Sequence, residues 1–225
     1  MIIDDEQRRF YSELYRAYGD DPRSLSWGDK VTQYERFDHL ARIFPSRDAA
    51  FSVHEIGCGL GHFGDFLLER YPNASYSGSD VSAEFVEACR RKFPNSDFFL
   101  RNIVETVPTD RYDHLVISGT FNARLSATTT EWSDFVSGMI RSMYMLCRES
   151  ISANFLTTFH DPAFAQSHLH YQSPAELIEF VVKELSRHYE LDAGGPLYEY
   201  TLRLYRPETV RRRYSGPEFA RYFQQ

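Results

Sequence analysis

HEIGCGLGHFGDFL, residues 54–67, decides the reading of this chain. The run FSVHEIG (51–57) has the apolar, β-branched character of a short buried strand and stops at a glycine. Gly57, Gly59 and Gly61 then form a turn, and HFGDFLLERY (62–71) opens as a helix that ends before Pro72. Glycines at such a turn permit positive φ and bring backbone close to a ligand with no Cβ in the way. Strand, glycine turn and helix place that turn at the carboxyl edge of a parallel sheet, where α/β folds bind ligands. Gly59, Gly61 and Gly64 also spell a dinucleotide fingerprint. A nicotinamide enzyme would need a substrate domain downstream, whereas the remaining length here goes into completing one sheet.

Working outward, strands and helices alternate. ASYSGSD (74–80) reads as a second strand and SAEFVEACRRKF (82–93) as a helix that Ser82 can cap, with Phe85 starting its apolar face. DFFLRN (97–102) and DHLVISG (113–119) are the third and fourth strands. TEWSDFVSGMIRSMYMLC (130–147) is a long helix with Trp132, Phe135, Met139 and Met143 near one face, and ESISANFLTTF (149–159) is a fifth strand. PAELIEFVVKELSRH (174–188) is a helix with Pro174 in its first turn. HYELDAGG (188–195) and YEYTLRLYR (198–206) are joined by only a few residues around Gly194, Gly195 and Pro196, so they pair antiparallel. The expected fold is α/β, a doubly wound and mainly parallel seven-stranded Rossmann-like sheet ending in an antiparallel hairpin.

Upstream, residues 5–18 and 30–44 are amphipathic, the second with Val31, Tyr34, Phe37, Leu40 and Ala41 at helical spacing. The loop GDDPRSLSWGD (19–29) separates them. The expected organisation is a helical cap over residues 1–48, the core over 49–206 and a tail over 207–225. The chain has 225 residues, 42% hydrophobic and 25% charged, with a formal charge of −7 and a pI near 5.6. An acidic chain is a poor candidate for nucleic acid, and Arg211–Arg213 reads as a solvated stretch. No apolar run is long enough for a membrane span, and the N-terminus MIIDDEQRRFYSELYRAYG lacks a signal-peptide core. The expected setting is therefore cytoplasmic. Cys58, Cys89 and Cys147 are dispersed and odd in number, against a disulfide framework or structural zinc.

HEIGCGLG and YSGSDVS (76–82) resemble the first and second motifs of class I S-adenosylmethionine-dependent methyltransferases. The resemblance extends over roughly residues 50–206. It implies S-adenosylmethionine as cofactor, with Glu55, Gly57, Cys58, Gly59 and Gly61 in the cradle. Asp80, nineteen residues beyond Gly61, would take the ribose hydroxyls on its two acceptor oxygens, and Val81 would lie beside the adenine. LRNI (100–103) resembles the third motif with Asn102 in place of the commoner Asp; the Asn102 carbonyl would accept from the adenine amino group and the Ile103 N–H would donate to the ring. HLVISG (114–119) resembles the fourth motif, placing Ser118 and Gly119 beside the methionine portion. SGTF (118–121) stands where DNA-type amino methyltransferases carry an Asn/Asp-Pro-Pro-aromatic run, which argues against base methylation.

Methyl transfer is an in-line displacement, so an acceptor must be held near the methyl carbon, and a hydroxyl acceptor needs a base. His160, oriented by Asp161, follows the fifth strand and is the expected base; His168 and His170 are alternates. With Asp161 these histidines could instead ligate a metal, but no tight ligand spacing appears, so no metal is expected. Phe121, Asn122 and Arg124 are expected around the acceptor, Arg124 suiting an anionic one, with Tyr171 as an aromatic wall. Trp27, Lys30 and Gln33 are expected to close over the cofactor's amino-acid end. The expected reaction is methylation of an oxygen, or a nitrogen, of a small metabolite in biosynthesis. The alternatives are a nicotinamide-dependent oxidoreductase or a non-catalytic cofactor-binding protein on the same scaffold. The sequence leaves the oligomeric state open.

Overall fold

The computed structural model describes residues 2–223. Its seven-stranded sheet has the order β3-β2-β1-β4-β5-β7-β6. The strands are β1 Phe51–Ile56, β2 Ala74–Asp80, β3 Phe98–Leu100, β4 Tyr112–Ile117, β5 Cys147–Leu156, β6 Tyr189–Asp192 and β7 Glu199–Tyr205. β1 to β5 pair in parallel, and β7 runs antiparallel between β5 and β6. The helices are α1 Ile2–Tyr18, α2 Lys30–Ala41, α3 His62–Arg70, α4 Ala83–Lys92, α5 Thr129–Leu146, α6 Pro174–Glu184 and α7 Pro207–Arg213. No described helix is long and apolar enough to cross a membrane.

Side chains alternate across a strand, and β4 shows the consequence. Val116 joins a core with Phe37 and Leu40 of α2, Phe63, Phe66 and Leu67 of α3 and Cys89 of α4. Leu115 and Ile117 join the opposite core, with Trp132, Met139, Ile140 and Met143 of α5 and Leu177 and Val181 of α6. Helices cover both faces because the central strands are apolar on both. The long helix begins where Thr128 and Glu131 form a reciprocal capping box.

Two local expectations are corrected. Val31 is 80% exposed rather than part of the apolar face of α2; it lies in the first turn, which Asp29 caps through Thr32 N–H. Ser82 holds the N-cap position of α4 without a side-chain capping bond; its own N–H instead donates to Asp80. Residues 101–111, which link β3 to β4, carry no helix. The sheet face beneath that link is polar and aromatic. His54 is fully buried, with Nδ1 2.7 Å from Ser77 Oγ and Nε2 2.6 Å from Ser79 Oγ, and stacks on Tyr112 at 4.2 Å. Burial pushes its pKa down to about 3, so it stays neutral. Ser77 and Ser79 of ASYSGSD are thus the hydrogen-bond partners of a buried imidazole. Beyond β7, α7 docks on the start of β5, Thr209 Oγ1 lying 3.1 Å from a Glu149 carboxylate oxygen.

α3 meets β2 at Gly64, where a Cβ would fall 2.3 Å from the Tyr76 ring. The same Tyr76 donates its hydroxyl to Glu55 Oε2 at 2.5 Å. Burial pushes Glu55 up to about 8, only partly offset by that hydrogen bond. Two outcomes are expected. Gly64→Ala should destabilise by about 1–3 kcal/mol through overpacking, overriding the helix propensity that alanine gains; a urea midpoint equal to or above wild type would contradict this. Folded Glu55 holds its proton up to about pH 8, while the unfolded carboxyl ionises near its ordinary value of 4.5. The folded state therefore binds more protons in that window, and the Glu55 contribution to stability is lost as pH rises through it. Glu55→Gln should remove this loss, so the Tm of the variant should gain on wild type steadily from about pH 5 to about pH 8. A constant Tm difference would show that the carboxyl is not held protonated.

Candidate active site

At the carboxyl ends of β1, β2 and β4 lies a cleft of about 320 Å³, roofed by α1 and by residues 25–28. That volume is in the range of small-molecule sites. Its floor is the glycine turn. Gly59 has φ +51°, and a Cβ there would approach Leu25 to 2.8 Å. Gly59 N–H donates to Asp80 Oδ2 at 2.9 Å, and Ser82 N–H donates to Oδ1 at 2.8 Å. Burial raises the Asp80 pKa, and the backbone N–H groups of Ser82, Gly59 and Val81 oppose that rise. Each carboxyl oxygen spends one acceptor site on backbone and keeps another. Beside this carboxyl, Val81, Phe85, Ile103, Phe135 and Met139 give the cleft an apolar slot.

The other end of the cleft is polar and braced from behind. Gln33 is buried, 1% exposed, and its amide nitrogen lies 3.2 Å from His62 Nδ1, while His62 Nε2 lies 2.7 Å from Asp20 Oδ1. Arg36 forms a forked pair with Glu199, Nε to Oε1 at 2.7 Å, and lies 4.4 Å over the Trp27 ring. Asn154 joins Glu199 at 3.0 Å to Gly119 N–H at 2.8 Å. Gly119 sits at φ +75° with Trp27 against it, so that a Cβ would come within 2.4 Å of the indole. Ser118 Oγ and Asn122 Oδ1 are buried in the cleft wall with no hydrogen-bond partner among the described residues. A buried polar atom without a partner is costly, so both are positions where a polar ligand restores the bond. An apolar slot flanked by a carboxyl and a polar far end fits an adenosine bearing an amino-acid tail.

Most residues singled out from the sequence meet here. Trp27, Gln33, Glu55, Gly57, Cys58, Gly59, Asp80, Val81, Asn102, Ile103, Ser118, Gly119, Asn122 and His168 all line the cleft. Others do not. Gly61 is the N-cap of α3, turned toward Phe93. Lys30 is exposed and its ammonium lies over the Tyr34 ring at 5.0 Å. His160 lies outside the cleft wall, its ring 4.1 Å from that of Tyr171. The Asp161 carboxylate does not orient it, because Oδ1 caps the turn Pro162–Phe164 through Ala163 N–H at 2.9 Å; the Asp161 backbone carbonyl lies 3.1 Å from His160 Nδ1 instead. A bridge between Thr157 and Gln172 just past β5 closes residues 158–171 into a loop, of which Gln166, His168 and Leu169 line the cleft and His160 does not.

Arg124 is spent on backbone, donating to the carbonyls of Ala127 at 2.5 Å, Ser167 at 2.7 Å and Leu169 at 3.3 Å. Phe121 is core, stacked on Phe155 at 5.0 Å. His170 is 5% exposed and faces Gln172 at 3.1 Å; Tyr171 holds the loop together through Gln166 N–H at 3.0 Å. Conversely, the cleft is lined by Asp4, Gln7, Arg8 and Tyr11 of α1, and by Arg36 and His62. Positions 4, 7, 8 and 11 share one helix face, a signal legible in the sequence, although nothing local says what that face covers.

A sequence profile of the family described as Methyltransferase domain matches residues 54–144. The Mycobacterium tuberculosis protein named "Putative methyltransferase Rv1506c" is 31% identical over 155 residues, 68% of this chain and 91% of that protein. Malonyl-[acyl-carrier protein] O-methyltransferase of Priestia megaterium is 24% identical over 224 residues, 92% of this chain and 74% of that protein. Among solved structures, magnesium protoporphyrin IX methyltransferase from Synechocystis with bound S-adenosylmethionine superposes with a TM-score of 0.60 at 17% identity, covering 91% of this chain and 95% of that one. With its sheet order, glycine turn and these relatives together, the chain belongs to the class I S-adenosylmethionine-dependent methyltransferases.

Proposed function

We propose that the cleft holds S-adenosylmethionine and that the chain methylates an oxygen of a small metabolite. The observation that carries the reading is the Asp80 carboxyl, fixed by Gly59 and Ser82 N–H and bordering the cleft. Asp80 would hold the ribose hydroxyls, Val81, Phe85 and Ile103 the adenine, and Gln33, Ser118 and the Gly119 turn the methionine portion. When bound, the cofactor supplies a methyl group on a sulfonium, open to in-line displacement. Trp27, Leu25 and α1 exclude water from above. Gln7, Asn122, Gln166 and His168 form a polar wall that can orient an acceptor. An oxygen acceptor is supported by the O-methyltransferase name of the Priestia megaterium relative. His168 replaces His160 as the imidazole able to take an acceptor proton, since of the two it lines the cleft, while His62, also in the lining, is engaged by Asp20 and Gln33.

Asp80→Ala should weaken binding of S-adenosylhomocysteine by calorimetry at least tenfold, the scale of one lost charged hydrogen-bond pair, about 1.5–3 kcal/mol. Unchanged binding would remove the ribose assignment. With radiolabelled cofactor and a panel of hydroxy and carboxylic acids, His168→Ala should lower turnover with cofactor affinity intact, and His160→Ala should leave both near wild type. The reverse ranking would return the base to His160.

A further inference from the structure

We propose that Asp20 and His62 are positioning residues that turn the Gln33 amide so that its carbonyl oxygen accepts from the ammonium group of the cofactor's amino-acid tail. The inference rests on that tail lying at the polar end of the cleft. It starts from Asp20. Its Oδ1 lies 2.7 Å from His62 Nε2, and a carboxylate only accepts, so Nε2 carries the hydrogen. In the neutral ring Nδ1 is then the acceptor, and the Gln33 amide nitrogen donates to it at 3.2 Å. With that nitrogen spent on His62, the remaining end of the amide is Oε1. Gln33 is 1% exposed, lines the cleft and makes no other side-chain hydrogen bond among the described residues. A buried carbonyl oxygen needs a donor, and an ammonium group brings three.

The same arrangement ties the direction of Gln33 to the charge of His62. A protonated ring donates from both nitrogens. Nδ1 then requires an acceptor, the Gln33 amide turns over, and its NH2 group meets the ammonium as donor against donor. Both residues are held for this. Gln33 sits near the start of α2, where Asp29 caps the first turn, and His62 opens α3 directly after its N-cap Gly61. The charged groups around them are otherwise engaged. Asp21, near enough to sense an imidazolium, is forked to Arg23. Asp65, one turn along α3, pairs with Lys92 of α4. Arg36, one turn from Gln33 on α2, is spent on Glu199. Asp20 is left as the carboxylate that fixes which nitrogen of the ring bears hydrogen.

The test is calorimetric binding of S-adenosylhomocysteine and of its desamino analogue, which carries hydrogen in place of the ammonium group. Both are measured at about pH 8 and about pH 5.5, the two sides of the range in which histidines change charge. At the higher pH wild type should prefer S-adenosylhomocysteine, with about tenfold of that preference owed to the Gln33 bond. The preference should shrink severalfold at the lower pH. Gln33→Met, close in size, should lose that tenfold and most of the pH dependence, whereas a direct repulsion between His62 and the ammonium would survive the exchange. Gln33→Glu should keep the preference at both pH values, because a carboxylate offers an oxygen in either state of His62; it decides the matter if Gln33→Met melts below the assay temperature. His62→Leu should remove the pH dependence. The proposal is overturned by a Gln33→Met variant with the wild-type preference or the wild-type pH dependence. It is equally overturned by a Gln33→Glu preference that collapses at the lower pH, or by a pH dependence that persists in His62→Leu. Wild type that binds neither compound would instead overturn the cofactor reading on which the proposal stands.

Discussion

The Asp80 carboxyl is the joint on which this site depends. It terminates β2, yet one oxygen is tied to the N–H of Gly59 in the turn after β1 and the other to Ser82 at the start of α4. Two adjacent strand ends are thereby locked in one relative position. The arrangement requires a glycine, since Gly59 at positive φ lets backbone reach the carboxyl where a side chain would collide with Leu25. It also requires burial. A fully solvated carboxylate would be held by water, whereas here the backbone amides replace water and work against the upward pull of burial.

Around that joint the fold places polar groups that brace one another from distant parts of the chain. Asp20, His62 and Gln33 link the end of α1, the start of α3 and the middle of α2. Arg36, Glu199 and Asn154 link α2, β7 and β5 to the Gly119 turn after β4. Forked and charge-assisted pairs of this kind fix direction as well as distance. Trp27 lies on the same network, between the Arg36 guanidinium and Gly119. The roof of the cleft is thus anchored to the sheet by the strand ends that form its floor, and α1 adds a second wall whose inward face is polar.

Much of this was legible in the sequence. The strand–glycine–helix run at 54–67, the alternation through residue 188 and the short join at Gly194–Pro196 are local patterns, and a parallel sheet with a terminal hairpin follows from them. Asp80, Ser118 and Gly119 were legible through the resemblance to the second and fourth motifs, which puts them at strand ends and so at the sheet edge.

Other positions were settled by contacts between segments far apart in the chain, and these the sequence could not rank. His160 follows a strand just as Ser118 does, but in the loop closed by the Thr157–Gln172 bridge it is Gln166, His168 and Leu169 that line the cleft, and His160 does not. Arg124 offers a guanidinium suited to an anion, yet three backbone carbonyls from two loops claim it. The inward face of α1 had a visible period but no visible partner until it lay over Asn102 and Asp80. Chain periodicity determines which residues share a face, because that is a property of helix and strand geometry. Which face meets which, and whether a polar side chain is spent on backbone or left for a ligand, is decided only when the whole chain packs and every buried polar group must find its partner.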